Sequence, residues 1–203
     1  MSSEIKADLI KDKSGTKTLA TLSSSAVTIG SDATFNGTVG SSATGFGLLT
    51  GAQMYRITTP FSNTGDNFIS SNWEALDQTG ESAGFGSIVS ESSGVFTFLK
   101  TGIYRVEAQL LFIKDGTVLN ATVQIQHTVN DSAYNKRSEG NAYIGPNTGG
   151  DHFISTSTTQ FFDITDLSNQ KVKIYTNSVA SVTVEGSSTI NWSYAIFTRL
   201  GDT

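Results

Sequence analysis

Val95-Phe96-Thr97-Phe98-Leu99-Lys100-Thr101-Gly102-Ile103-Tyr104-Arg105-Val106-Glu107-Ala108-Gln109-Leu110-Leu111-Phe112 reads as two strands around a turn. Successive side chains of a strand point to opposite faces. That places Tyr104, Val106, Ala108 and Leu110 on one side, with Arg105, Glu107 and Gln109 on the other. One face is therefore expected to be buried and the other wet. The turn Lys100-Thr101-Gly102 has no room for a helix, and 3.6-residue periodicity is hard to find anywhere in the chain.

Moving toward the C-terminus, Lys114-Asp115-Gly116-Thr117 has the Asp-Gly pair of a hairpin turn. Residues 119–129 return with Ala121, Val123, Ile125 and His127 on one side. Residues 130–150, rich in Asn and Gly, lack periodicity and read as a long loop suited to contacts or assembly. Further strands are expected over 153–164, 172–177, 181–185 and 190–200. The last carries Ile190, Trp192, Tyr194, Ile196 and Thr198 on one face, and its closing position suggests a central strand that pairs back to the start of the domain. Toward the N-terminus, residues 84–89 and 53–57 are the remaining candidates. Eight to ten such strands make an all-β, two-sheet jelly-roll β-sandwich head over residues 52–203.

Upstream of the head the composition thins. Residues 1–22 read as an anchor segment, in which Ile5, Leu9 and Ile10 could share a helical face or lie extended. Residues 23–51 are Ser-, Thr- and Gly-rich and read as a stalk. Val27, Ala33 and Val39 recur every six residues, and Ile29 and Phe35 repeat the step. One chain cannot bury such sparse apolar residues, whereas three copies wound about an axis can. A slender trimeric β stalk and a flexible linker are the two readings.

Composition removes several function classes. With 203 residues the chain has room for one sandwich and an appendage. Only 15% of residues are charged, so the surface must be largely Ser, Thr, Asn and Gly, as suits extracellular or particle-borne β proteins. The net charge of -5, with Lys136-Arg137 the only tight basic pair, argues against a nucleic-acid partner. Cys is absent, which excludes disulfides and thiolate chemistry. The first residues lack the apolar run of a signal peptide and no segment is long enough to cross a bilayer, so neither classical secretion nor membrane insertion is expected.

Residues 95–106 resemble the strand-turn-strand signature of the complement globular-head and tumour necrosis factor-like superfamily, in which a Phe-containing strand precedes a Gly-x-Tyr strand, here Gly102-Ile103-Tyr104. Gln160-Phe161-Phe162-Asp163-Ile164, residues 169–174 and Ser193-Tyr194-Ala195-Ile196-Phe197 look like that family's last strands. The resemblance spans residues 53–200 and implies a trimer formed through aromatic-rich faces, a binding role for proteins or glycans, and no catalysis. The chain departs from it in having no collagen-like stem and no acidic cluster matching a calcium site. The N-terminal segments 2–10 and 27–39 are similar to those of short fibre-like virion proteins of tailed bacteriophages, especially marine ones.

Residues that could carry chemistry are few. His127 and His152 are the only histidines and lack a partner at metal-ligand spacing, so both read as structural. Asp163 and Asp166, with Asp115 and Asp131, could pair for glycosidase work or bind calcium, but turn aspartates that cap their own backbone explain them more cheaply. Gly84-Phe85-Gly86 and residues 145–150 lack the strand-to-helix context of a phosphate cradle. No cofactor, metal or catalytic residue is expected. The aromatic residues exceed what one narrow core needs, so some are expected at a threefold interface, with Phe112, Phe161, Tyr175 and Tyr194 chosen by strand position and Val27, Ile29 and Phe35 in the stalk.

These features together suggest a non-enzymatic phage virion structural protein on the exterior of the particle: a homotrimeric tail fibre attached by its N-terminus to other virion proteins, whose head binds a host surface glycan or protein. The alternative is a capsid decoration, or cement, protein that stabilises the phage head.

Overall fold

In the computed structural model, which describes residues 49–76, 84–115, 118–145 and 150–203, Phe96, Phe98, Tyr104, Val106, Ala108, Leu110 and Phe112 are all buried. The alternation read from the sequence thus holds along the central hairpin, and it runs one residue pair beyond Leu110. Eleven strands pass through the described residues: β1 (Gly51–Ile57), β2 (Phe61–Phe68), β3 (Trp73–Ala75), β4 (Val89–Ser92), β5 (Val95–Phe98), β6 (Gly102–Asp115), β7 (Val118–Thr128), β8 (Asn135–Ile144), β9 (Asp151–Ile164), β10 (Lys171–Val184) and β11 (Tyr194–Gly201).

All pairings are antiparallel. A front layer runs β3-β1-β11-β6-β9, and a back layer is centred on β10, with β5 and β2 along one edge and β7 then β8 along the other. β11 lies between β1 and β6, the central position expected of a closing strand. The layers are stitched at a corner. Past an irregularity between Ser178 and Val182, β10 leaves β7 and pairs Thr183 and Val184 with Ile113 and Phe112 of β6. Such a nearly closed, twice-bent sheet is a jelly roll.

Rings from both layers fill the space between them. Tyr55 of β1 meets Phe96 of β5 edge-on at 5.2 Å between centroids, Phe96 meets Phe197 of β11 at 4.8 Å, and Phe98 meets Tyr104 at 4.6 Å. Each such ring contributes about 1.5–3 kcal/mol by leaving water, and the Tyr55 hydroxyl is satisfied by donating to the Val89 carbonyl at 2.9 Å. The Gly-x-Tyr signature has a physical cause here. Gly102 sits at φ +138°, and a β-carbon there would collide with the Gly201 carbonyl and the Arg199 guanidinium. That buried guanidinium in turn donates to the Thr101 carbonyl and the Thr50 hydroxyl, tying the turn to both ends of the domain.

Six elements differ from the sequence reading, the first being the strand expected over residues 84–89, where Phe85 makes only an isolated bridge to Ala52 and β4 begins at Val89. The expected loop 130–150 contains β8, a full ten-residue strand. Segments 172–177 and 181–185 are one strand, β10, interrupted by its irregularity. β11 starts only at Tyr194, so Ile190 and Trp192 precede it in turn structure. β2 and β3 had no counterpart in the sequence reading, because Ser62-Asn63-Thr64-Gly65-Asp66-Asn67 is polar on both faces. Gly116 and Thr117 of the expected hairpin turn, like residues 1–48, lie outside the described residues.

Candidate assembly face

The outer surface of the front layer follows from register, because residues directly opposite in an antiparallel pair share a face. Met54, Ile196, Glu107 and Thr159 form one row across β1, β11, β6 and β9. Arg56, Tyr194, Gln109 and Ser157 form the next. Ile113 stands opposite Phe153, and Arg105 opposite Phe161. Phe153 and Phe161 are 64% and 57% exposed, on the strand that edges this layer. Met54, Leu111, Ile113 and Ile196 are half-buried on the same surface.

The charged groups in these rows are already paired. Arg105 and Glu107 bond each other at 2.5 Å. Arg56, only 2% exposed, holds Glu74 with both its Nε and Nη2 atoms. The Tyr194 hydroxyl donates to Gln109 Oε1 at 3.2 Å, and Gln109 Nε2 donates to the Trp192 carbonyl. Burial, with the Glu107 charge beside it, pushes the Tyr194 phenol above its ordinary value, so it stays neutral. The result is a sheet surface whose charges are neutralised laterally and on which apolar side chains stand among the exposed hydroxyls of Ser155, Ser157 and Thr159. Scattered apolar residues on a surface are ordinary, but aligned ones flanked by satisfied polar groups mark a contact surface.

Of the interface residues chosen from sequence, the structure brings Phe161 and Tyr194 together on this layer. Phe112 is corrected. It is fully buried in the chain's own core, because it continues the inward parity of Tyr104 and Leu110, and it has no surface to offer a second subunit. Tyr175 lies on β10 in the back layer, opposite Phe68 and Gln124, so it does not belong to the face that holds Phe161. Val27, Ile29 and Phe35 lie outside the described residues. Sequence reading missed Met54, Leu111, Ile113, Phe153 and Ile196. The parity of β6, carried through the apolar run Leu110-Leu111-Phe112-Ile113, would have found two of them.

The residues weighed for chemistry sit apart. His127 is buried against the Phe162 ring at 4.7 Å, and burial, with the Arg137 charge second, lowers its pKa to about 4. His152 is on β9. Asp166 caps its own turn: its carboxylate accepts from the Asn169 side chain and from the Ser168 and Asn169 amides, and these bonds, the Asn169 side chain's above all, hold its pKa below the ordinary value. Asp131 pairs with Lys171 at 2.6 Å. Among the described residues, no group of three or more His, Asp or Glu side chains could hold a metal ion.

No family model and no curated protein matches the sequence. Solved structures do resemble it. Murine APRIL superposes with a TM-score of 0.54 at 10% identity, covering 74% of this chain and 98% of its own. Eiger TNF from S. frugiperda gives 0.58 at 13% identity, covering 75% and 93%. The head therefore has a tumour necrosis factor-like jelly-roll fold.

Proposed function

We propose that this chain is a non-enzymatic virion structural protein on the exterior of a bacteriophage particle, a homotrimeric fibre whose N-terminal segment attaches to the particle and whose head binds the host surface. The observation that carries the assembly is the front layer's outer surface, where Phe153, Phe161, Ile113, Ile196 and Met54 face outward between laterally paired charges. An obligate interface is apolar in just this way. The likeness of the head to tumour necrosis factor-like jelly rolls, a family of trimers, supports the same stoichiometry. The phage setting is supported by the similarity of segments 2–10 and 27–39 to short fibre-like virion proteins. Three heads on one stalk convert weak surface contacts into useful avidity.

The test is a double substitution, Phe153→Glu with Phe161→Glu. Both positions are more than half exposed, so each change is expected to shift subunit stability by about 0.5 kcal/mol or less. Far-ultraviolet circular dichroism should then stay that of the parent while sedimentation shows smaller species. A variant that keeps the parent's assembly state would remove this face from the interface.

A further inference from the structure

β2 is an edge of the back layer: one side pairs with β10, and among the described residues no strand pairs with the other. Against this edge and the turn after it lies a groove of about 390 Å³, within the range of roughly 300–1,000 Å³ usual for small-ligand sites. Its walls carry no ionisable side chain. We propose that this groove is a subsite for a neutral hexopyranose residue of a surface polysaccharide, an assignment that rests on the host-surface reading above.

Three properties of the groove lead to that ligand class. Two half-buried phenyl rings line it: Phe68, which lies under the Lys173 ammonium and also meets the Tyr175 ring at 5.6 Å, and Phe61, which supplies the apolar surface on which the C–H face of a pyranose packs. Two amides supply directional polar groups. Asn63, 4% exposed, is locked by donating to Ser178 Oγ and the Gly65 carbonyl, both at 3.1 Å. Asn67 donates to Asn63 Oδ1 at 2.9 Å, and its own Oδ1 accepts no hydrogen bond from the described residues. Finally, the hydroxyls of Ser62, Thr64, Ser70 and Ser71 line the groove without a hydrogen bond among the described residues, so each can donate to and accept from a ligand. The unpaired edge of β2 adds main-chain groups of both kinds. A ligand that is apolar on one face and dense in hydroxyls at its rim satisfies this lining.

Charged ligands do not. The neighbouring cation, Lys173, has its ammonium over the Phe68 and Tyr134 rings at 4.4 and 4.0 Å, and the neighbouring anion, Asp66, accepts from Gln124. The groove is also held in shape. Ile69 donates its amide to the Ile174 carbonyl, and its own carbonyl accepts from the Trp73 indole at 3.0 Å.

That indole makes a built-in reporter, because the chain has only two tryptophans and Trp192 lies before β11, outside the groove lining. The experiment titrates the ¹⁵N-labelled full chain with methyl glucoside, methyl galactoside, methyl mannoside and N-acetylglucosamine, with glucuronate as the charged control. At least one neutral sugar should move the Trp73 indole resonance saturably, with a Kd of about 1–10 mM as expected for so small a ligand, while Trp192 stays in place. Ser70→Tyr, at an exposed position on the rim, should weaken that binding at least tenfold with the rest of the spectrum unchanged. The proposal is overturned if none of the four sugars moves Trp73, if Ser70→Tyr binds as the parent does, or if glucuronate binds as well as the neutral sugars. The mass of the same sample separates the two readings. A trimer that binds no sugar loses the groove and keeps the assembly; a monomer that binds sugar keeps the groove and loses the trimeric fibre.

Discussion

His127 shows how one residue ties the core to solution conditions. It sits inward on β7, 5% exposed, stacked on Phe162 of β9, with Nε2 bonded to nothing. Its pKa is about 4 in the fold against an ordinary 6.5, so between those values the unfolded chain binds the extra proton. Stability from this residue is therefore complete above pH 6.5 and is lost as pH falls toward 4. A shift of that size corresponds to about 3 kcal/mol at most. Urea unfolding of the parent and of His127→Gln, measured at pH 7 and pH 4.5, should show the parent losing more stability across that interval; equal losses would mean that His127 carries no proton linkage. Its strand position was legible in the sequence, but its neutrality was not, because that depends on Phe162 and on Arg137, which only the fold brings near.

At the scale of elements, the strands that were legible are those with an apolar parity, β1, β5, β6, β7 and β9, and the illegible ones are those whose partners supply the reason to be extended. β8 is Asn-Lys-Arg-Ser-Glu-Gly-Asn-Ala-Tyr-Ile, polar almost throughout, and it is a strand because β7 offers it a ladder. The outward side of β7 is itself unusual: Thr122, Gln124, Gln126 and Thr128 are buried although they lie opposite the core. Gln126 donates to Gln124, and Gln124 to Asp66 of β2, so side-chain hydrogen bonds link the back layer across its strands. β8 then closes toward β9 at Gly140, where a β-carbon would strike the Ser157 carbonyl and the Thr156 hydroxyl. Gly140→Ala should therefore cost about 1–3 kcal/mol in chemical unfolding, although the substitution favours an ordinary strand; an unchanged midpoint would mean that β8 and β9 are not in close contact. The same parity bears on the proposed assembly face. Phe161 and Tyr194 lie in strands with clear parity, whereas Phe112, within an unbroken apolar run, faces inward with Tyr104 and Leu110.

For the molecule as a whole, the layers divide the work. The front layer's outer surface carries aligned apolar residues between paired charges, which suits the proposed contact with copies of the same chain. The neutral groove beside β2, at the edge of the back layer, suits contact with something else. Fold class was within reach of the sequence, because it follows from parity, turn chemistry and length. Which residues share an outer face was not, since that requires knowing which strands neighbour which. The central claim, a homotrimer, is tested most directly by the mass of the purified full chain in solution by light scattering. The account predicts three times the 21.5 kDa of one chain, unchanged on dilution through the micromolar range. A mass of one chain across that range would contradict it.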